Sequence, residues 1–300
     1  EGGKWYDSGI PKGKTARMGN AEPPESMADG YGKQQRAVQA ERVVMTFMTV
    51  PAASIAGMVF SLVVSFALPI GLFIYAKKKL GAKAAPFFIG CGVFFVMVLM
   101  LEAAIHRIVF QLAGEALTGS VILYAVYGGL MAALFEETGR YIAMRFLVKP
   151  MDFPNAFMYG AGHGGVEAML LCGVASISNI AGAVMINSGT MSAQLASLDA
   201  KKAADTALWA LWTTPSLTFF AGGVERLLAV VLHVSLSILV FQSIRKKSRK
   251  DLLNAYLFHF VIDSLAVLLS AVASVWVVEL VVALVTGGAV LMAKYACMEE

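Results

Sequence analysis

Residues 54–76 read SIAGMVFSLVVSFALPIGLFIYA, and Lys77, Lys78 and Lys79 follow directly. No charged side chain interrupts the run, and it is as long as the roughly 20 residues a helix needs to cross a hydrocarbon core about 30 Å thick. A charge-free run closed by three lysines reads as a transmembrane helix ending at a membrane face. The pattern recurs, and spans are predicted near Ser54 to Ala76, Pro86 to Ile108, Ser120 to Val148, Phe157 to Ala183, Leu217 to Ile244, Leu253 to Val272 and Val275 to Ala293. The expected fold class is therefore all-α, a polytopic transmembrane helical bundle of about seven spans. Leu253 to Ala293 is too long for one ordinary span, and only Ser270, Ser274 and Trp276 mark its break.

Composition agrees with this reading. The 300 residues are 58% apolar and 15% charged with a mean hydropathy of +0.70, which excludes an ordinary soluble domain. The formal charge of +4 comes mainly from Lys and Arg in short loops, where they orient the chain and do not form a nucleic-acid surface. Lys77, Lys78, Lys79 and Lys83 lie between spans one and two, Arg145 and Lys149 between three and four, and Arg245, Lys246, Lys247, Arg249 and Lys250 between five and six. These alternate loops must share one face, which the positive-inside rule assigns to the cytoplasm. The opposite face has only Lys201 and Lys202, with Arg36 and Arg42 ahead of span one. The N-terminus is then expected outside and the C-terminus, with Lys294, inside, in a multi-pass protein of the cell membrane. Three cysteines, none in a CxxC pair, exclude a disulfide framework or a thiolate metal site.

Residues 1–44 are rich in Gly, Pro, Lys and Asp without apolar periodicity, and are read as a disordered tail and a candidate non-native extension. Met45 and Met48, just ahead of the first span, are candidate native starts; residues 45–296 form the expected transmembrane domain. In the long connection after span four, Trp209 and Trp212 sit in a short apolar stretch expected to be an amphipathic connector at the outer interface.

A charge inside a span costs about 2.5 to 3.5 kcal/mol on insertion scales, so each one needs a reason. Span two carries Glu102 and His106; span three Glu136, Glu137 and Arg140; span four His163 and Glu167; span five Glu225, Arg226 and His233; span six His259 and Asp263. Glu136 and Arg140, His163 and Glu167, and His259 and Asp263 are each four residues apart, so each pair shares a helix face. At about 1.5 Å rise per residue, these groups and His233 fall roughly 5 to 18 Å from the cytoplasmic edge. Four helices thus deliver acids, bases and a guanidinium to one layer. Any one pair alone would read as a structural contact; together they read as a reactive site. Glu102 with His106, and Glu225 with Arg226, lie nearer the outer side and are expected to pair with each other or with solvent, outside the central set. Glycines surround His163 from Gly160 to Gly165, either as a close helix-packing surface or as room for a substrate strand.

No HExxH, GxGD or rhomboid GxSG motif is present. The run Glu136-Glu137-Thr138-Gly139-Arg140-Tyr141, then Gly162-His163-Gly164-Gly165-x-Glu167-Ala168, then Glu225-Arg226 with His233, resembles the YhfC family of intramembrane metalloproteases, related to the PrsW and CAAX/Abi membrane proteases. The departures are Arg140, where PrsW-type proteins are expected to have Lys, and Asp263, where CAAX-type proteases are expected to have Asn. The resemblance implies an intramembrane endopeptidase that hydrolyses a membrane-embedded or membrane-adjacent protein or peptide near the cytoplasmic side. Two mechanisms fit the residues. In one, Zn²⁺ is held by His163, Glu167, His233 and His259, with Asp263 as an alternative to Glu167, and Glu136 or Glu137 is the general base. In the other, which the CAAX-type resemblance suggests, a span-three Glu and His163 activate water without metal, and His259 and Asp263 serve the oxyanion. Arg140 supports a neighbouring carboxylate in both. The competing readings are a proton- or cation-coupled transporter, against which no internal repeat is seen, and a catalytically inactive membrane partner.

Overall fold

The computed structural model describes residues 49–190 and 210–298. The expected tail at 1–44, Met45, Met48, Lys201, Lys202 and Trp209 lie outside these residues. Among the described residues no strand forms, and seven helices are long and apolar enough to cross a membrane: α1 (Ala52–Lys79), α2 (Ala85–Thr118), α3 (Val121–Phe146), α4 (Phe153–Asn187), α5 (Ser216–Lys246), α6 (Arg249–Ser270) and α7 (Val275–Met298). The chain is a multi-pass membrane protein.

Local chemistry sets the helix ends. Ser120 caps α3 by accepting from the Leu123 amide at 3.3 Å, and Asp152 caps α4 by accepting from Asn155 at 3.0 Å, with Pro154 in the first turn. Ser248 caps α6 directly after Lys247, whose left-handed backbone ends α5. The turn between Ser270 and Val275 confirms that the final apolar stretch is two spans.

Side-chain clamps between loops show which helix ends share a face. Asn155, at the start of α4, accepts from the Lys83 amide and donates to the Pro150 carbonyl, joining the α1–α2 and α3–α4 connections. Lys246, at the end of α5, donates to the Ala296 carbonyl at the end of α7. On the opposite side, the Asn187 amide group makes two hydrogen bonds to the Val50 backbone, at 2.7 and 3.1 Å. The basic loops therefore do lie on one face, called the basic face below.

Helix α5 occupies the centre. Its most apolar window is 67% buried, against 17–28% in the other six helices, because it packs on α1, α3, α4, α6 and α7. Outward residues such as Ile122, Leu171, Leu280 and Leu284 are exposed, as lipid-facing side chains must be. Glycine permits the closest crossings. A Cβ on Gly160 would lie 2.7 Å from Val234 Cα, one on Gly164 would lie 2.8 Å from His233 Cβ, and one on Gly162 would meet the Phe87 backbone. The glycines around His163 are thus a packing surface, pressing α4 against α5 and α2. Two π-helical stretches, Phe95–Glu102 in α2 and Ala168–Gly173 in α4, shift the phase of these helices next to Glu102 and Glu167.

Candidate active site

Three imidazoles converge on one carboxylate. Glu136 Oε2 lies 2.8 Å from His163 Nε2 and 3.8 Å from His233 Nδ1, and Glu136 Oε1 lies 3.7 Å from His259 Nε2. Glu136 and the three histidines are each at most 6% exposed. They come from α3, α4, α5 and α6, the four helices that the depth argument put in one layer.

The neighbours fix the orientation of two rings. His259 Nδ1 donates to Glu137 Oε1 at 2.7 Å, which turns Nε2 towards Glu136 and Asp263. Arg140 can only donate, so its 2.9 Å contact makes His233 Nδ1 the acceptor and puts the ring proton on Nε2, 2.6 Å from Glu167 Oε2. In each case a carboxylate lies against one ring nitrogen and the other nitrogen faces Glu136, as outer carboxylates orient metal-binding histidines, but at His233 the nitrogen facing Glu136 is already held by Arg140. His163 differs, because its Nδ1 is buried without a hydrogen-bond partner.

Arg140 braces this centre. It pairs with Glu137 at 3.2 Å, donates to the His233 carbonyl at 2.7 Å and to Ser237 Oγ at 2.9 Å, and is fully buried. The neighbouring carboxylate that Arg140 supports is Glu137, and not Glu136 with which it shares a helix face. Positions three and four apart are both neighbours on a helix; Glu136 is taken by His163, and the guanidinium reaches α5 while holding Glu137. His163 and Glu167 likewise part company, to Glu136 and His233. His259 and Asp263 do stay together, with Nε2 3.4 Å from Oδ2, and the Asp263 side chain is 39% exposed.

A metal-capable group forms from Glu136, His163 and His233, whose donor atoms all lie within 4.8 Å of one another. Two imidazoles and a carboxylate suit a catalytic Zn²⁺, and the buried convergence of their donor atoms supports the fit. Full use of His233 requires Arg140 to release Nδ1. Glu167, expected among the ligands, lies 2.6 Å from His233 Nε2 and accepts from Arg226 at 2.7 Å. Arg226 also bonds Glu225. The expectation that Arg226 stands apart from the cluster is therefore corrected: its long side chain reaches across from α5 to α4. Glu102 and His106 do pair, at 3.1 Å, and His106 Nδ1 meets the Tyr127 hydroxyl at 2.8 Å.

A cavity of about 450 Å³ opens on this layer. Its lining runs along α5 from His233 back to Glu225, along α6 from His259 on to Ser270, and along α7 from Val282 back to Val275. All three stretches lead away from the basic face, towards the α6–α7 turn. Among the lining groups is Glu279 of α7, a charge within the run VWVVELVVALV that sequence reasoning passed over, although its insertion cost signals it as plainly as the others.

Seven spans that bury histidines and carboxylates around such a cavity define a multi-pass membrane protein with a metal-capable centre. The profile of the YhfC intramembrane metalloprotease family matches residues 64–282. The membrane protein YhfC of Bacillus subtilis (strain 168) is 39% identical over 228 residues, covering 74% of this chain and 88% of that protein. The chain belongs to the YhfC family. No solved structure matches it.

Proposed function

We propose that the protein is an intramembrane endopeptidase that hydrolyses peptide bonds of a membrane-embedded or membrane-adjacent protein or peptide. The observation that carries this reading is the convergence of His163, His233 and His259 on Glu136 beside a cavity large enough for a peptide segment. Transport alone would not call for an acid and bases held at bonding distance by a second set of carboxylates.

His163 and His233 are the residues that would hold Zn²⁺, with His259 adjoining, and Glu136 between them is kept as the base. When bound, the metal supplies Lewis-acid polarisation of water and of the scissile carbonyl. The chain's own groups do the rest. Glu136 Oε1 and His259 Nε2, 3.7 Å apart, are placed to accept from one attacking water. As the water oxygen bonds to the carbonyl carbon, Glu136 takes its proton and returns it to the departing amide nitrogen, and the C–N bond breaks. His163 holds Glu136 in place, Glu137 fixes the His259 tautomer, and Asp263 faces the cavity beside His259. Arg140 positions Glu137 and His233 and does not touch substrate.

The test is single replacement of Glu136, Glu137, His163 and His259 by Ala in purified protein. Cleavage of a substrate peptide is expected to fail in each, and its survival in all four would overturn the reading. Metal analysis of the protein beside His163→Ala adds a second check: one bound zinc, lost in the variant, is the expected result.

A further inference from the structure

The cavity wall between the reactive layer and the α6–α7 turn carries an unbalanced charge. Arg226 is already shared by two carboxylates, Glu167 and Glu225. Glu279, across the cavity on α7, is 6% exposed; its Oε2 is buried without a hydrogen-bond partner, and it forms no ion pair among the described residues. The wall therefore carries three carboxylates and one guanidinium, which two of them already share. A buried carboxylate without a counter-charge is expensive in a low-dielectric setting, and a ligand cation removes that cost.

We propose that Glu279, with Glu225, forms a specificity subsite that takes a cationic side chain, Lys or Arg, of the peptide substrate. This rests on the endopeptidase reading and names its substrate class. Val282 packs in the same cluster as Leu232 and Ile262, beside His233 and His259, and Glu279 stands about one helical turn, ~5 Å, farther from the basic face. Arg226 is seven residues, or ~10 Å, from His233 along α5. At about 3.3 Å per residue of extended chain, the cation belongs two or three residues from the scissile bond. The half-exposed Glu225 carboxylate stands at the outer end of the same wall, where an arriving cation meets it first.

The test uses the full chain in detergent and two synthetic apolar peptides, both N-acetylated. One carries a single central Lys and the other has Leu in its place. Binding is measured by fluorescence anisotropy in the Glu136→Gln protein, so that no cleavage intervenes, and thermal unfolding checks that each variant is folded. The Lys peptide is expected to bind at least tenfold more tightly than the Leu peptide. Adding Glu279→Gln brings the ratio close to one, and adding Glu225→Gln lowers it. Equal binding of the two peptides, or a ratio that survives Glu279→Gln, overturns the subsite. Cleavage by the wild-type chain is scored separately, with the expected cut two or three residues from Lys. A Glu279-dependent preference in binding with no cleavage of either peptide would remove the endopeptidase reading and leave a cation-selecting peptide site.

Discussion

At the scale of single residues, adjacent carboxylates on α3 have different work. Glu136 faces three imidazoles and the cavity, and Glu137 is buried between Arg140 and His259. Glu136→Gln keeps the shape and the contact to His163 but loses the base; peptide cleavage is expected to fall by about 10²–10⁴-fold with the unfolding temperature little changed. Glu137→Gln leaves Arg140 without its ion-pair partner, and the unfolding temperature falls together with activity. Arg140→Ala removes one side of a buried pair and is expected to cost about 3–5 kcal/mol in denaturant unfolding. Arg140→Lys is milder but still damaging, because one ammonium cannot hold Glu137, the His233 carbonyl, Ser237 and His233 Nδ1 together. Most of this centre was readable in the sequence, since a charge in an apolar span announces itself by its cost. Which partner each group takes was not. Helical spacing makes Glu136 and Glu137 equally good neighbours for Arg140, and nothing in one sequence says that Arg226 reaches Glu167.

At the scale of helices, the site depends on how closely α4 approaches α5. Gly164 faces His233, and an added Cβ would lie 2.8 Å from the His233 Cβ, where neither backbone has room to give. Gly164→Ala is expected to destabilise by about 1–3 kcal/mol, as overpacked cores do, and to push His233 off Glu136. Thermal unfolding and bound zinc should fall together. Gly222→Ala on α5 is the contrast: its nearest foreign atoms are 3.7 Å away, so both readouts should hold. The sequence showed the glycines around His163 but left open whether they make room for a neighbour or for a substrate. Crossing partners such as Phe87 and Val234 come from distant helices, so spacing within α4 could not decide. The π-helical turns beside Glu102 and Glu167 were equally hidden, because one extra residue in a turn leaves no mark in an apolar run.

At the scale of the whole molecule, the seven spans and the shared face of the basic loops followed from apolar run length and lysine placement, and the loop clamps at Asn155 and Lys246 agree with them. Depth counting along each span also put the reactive groups in one layer, but the way into that layer was invisible to it. A cavity is a property of several helices at once, and the lining of this one runs along α5, α6 and α7 as far as Ala273 in the α6–α7 turn. If the basic face is cytoplasmic, as its lysines predict, a lining that leads to the α6–α7 turn predicts access from the opposite side of the membrane, even though the site residues lie nearer the basic loops. Cysteine labelling decides this. In a chain with Cys91, Cys172 and Cys297 replaced by Ser, Ala273→Cys is expected to react with a membrane-impermeant maleimide on intact cells, and Lys247→Cys only after lysis. Asp263→Cys, 39% exposed in the parent side chain and facing the cavity, should react from the same side as Ala273→Cys and be protected by a bound peptide. Labelling of Lys247→Cys on intact cells would invert the topology, and labelling of Asp263→Cys only together with Lys247→Cys would place the cavity mouth on the basic face.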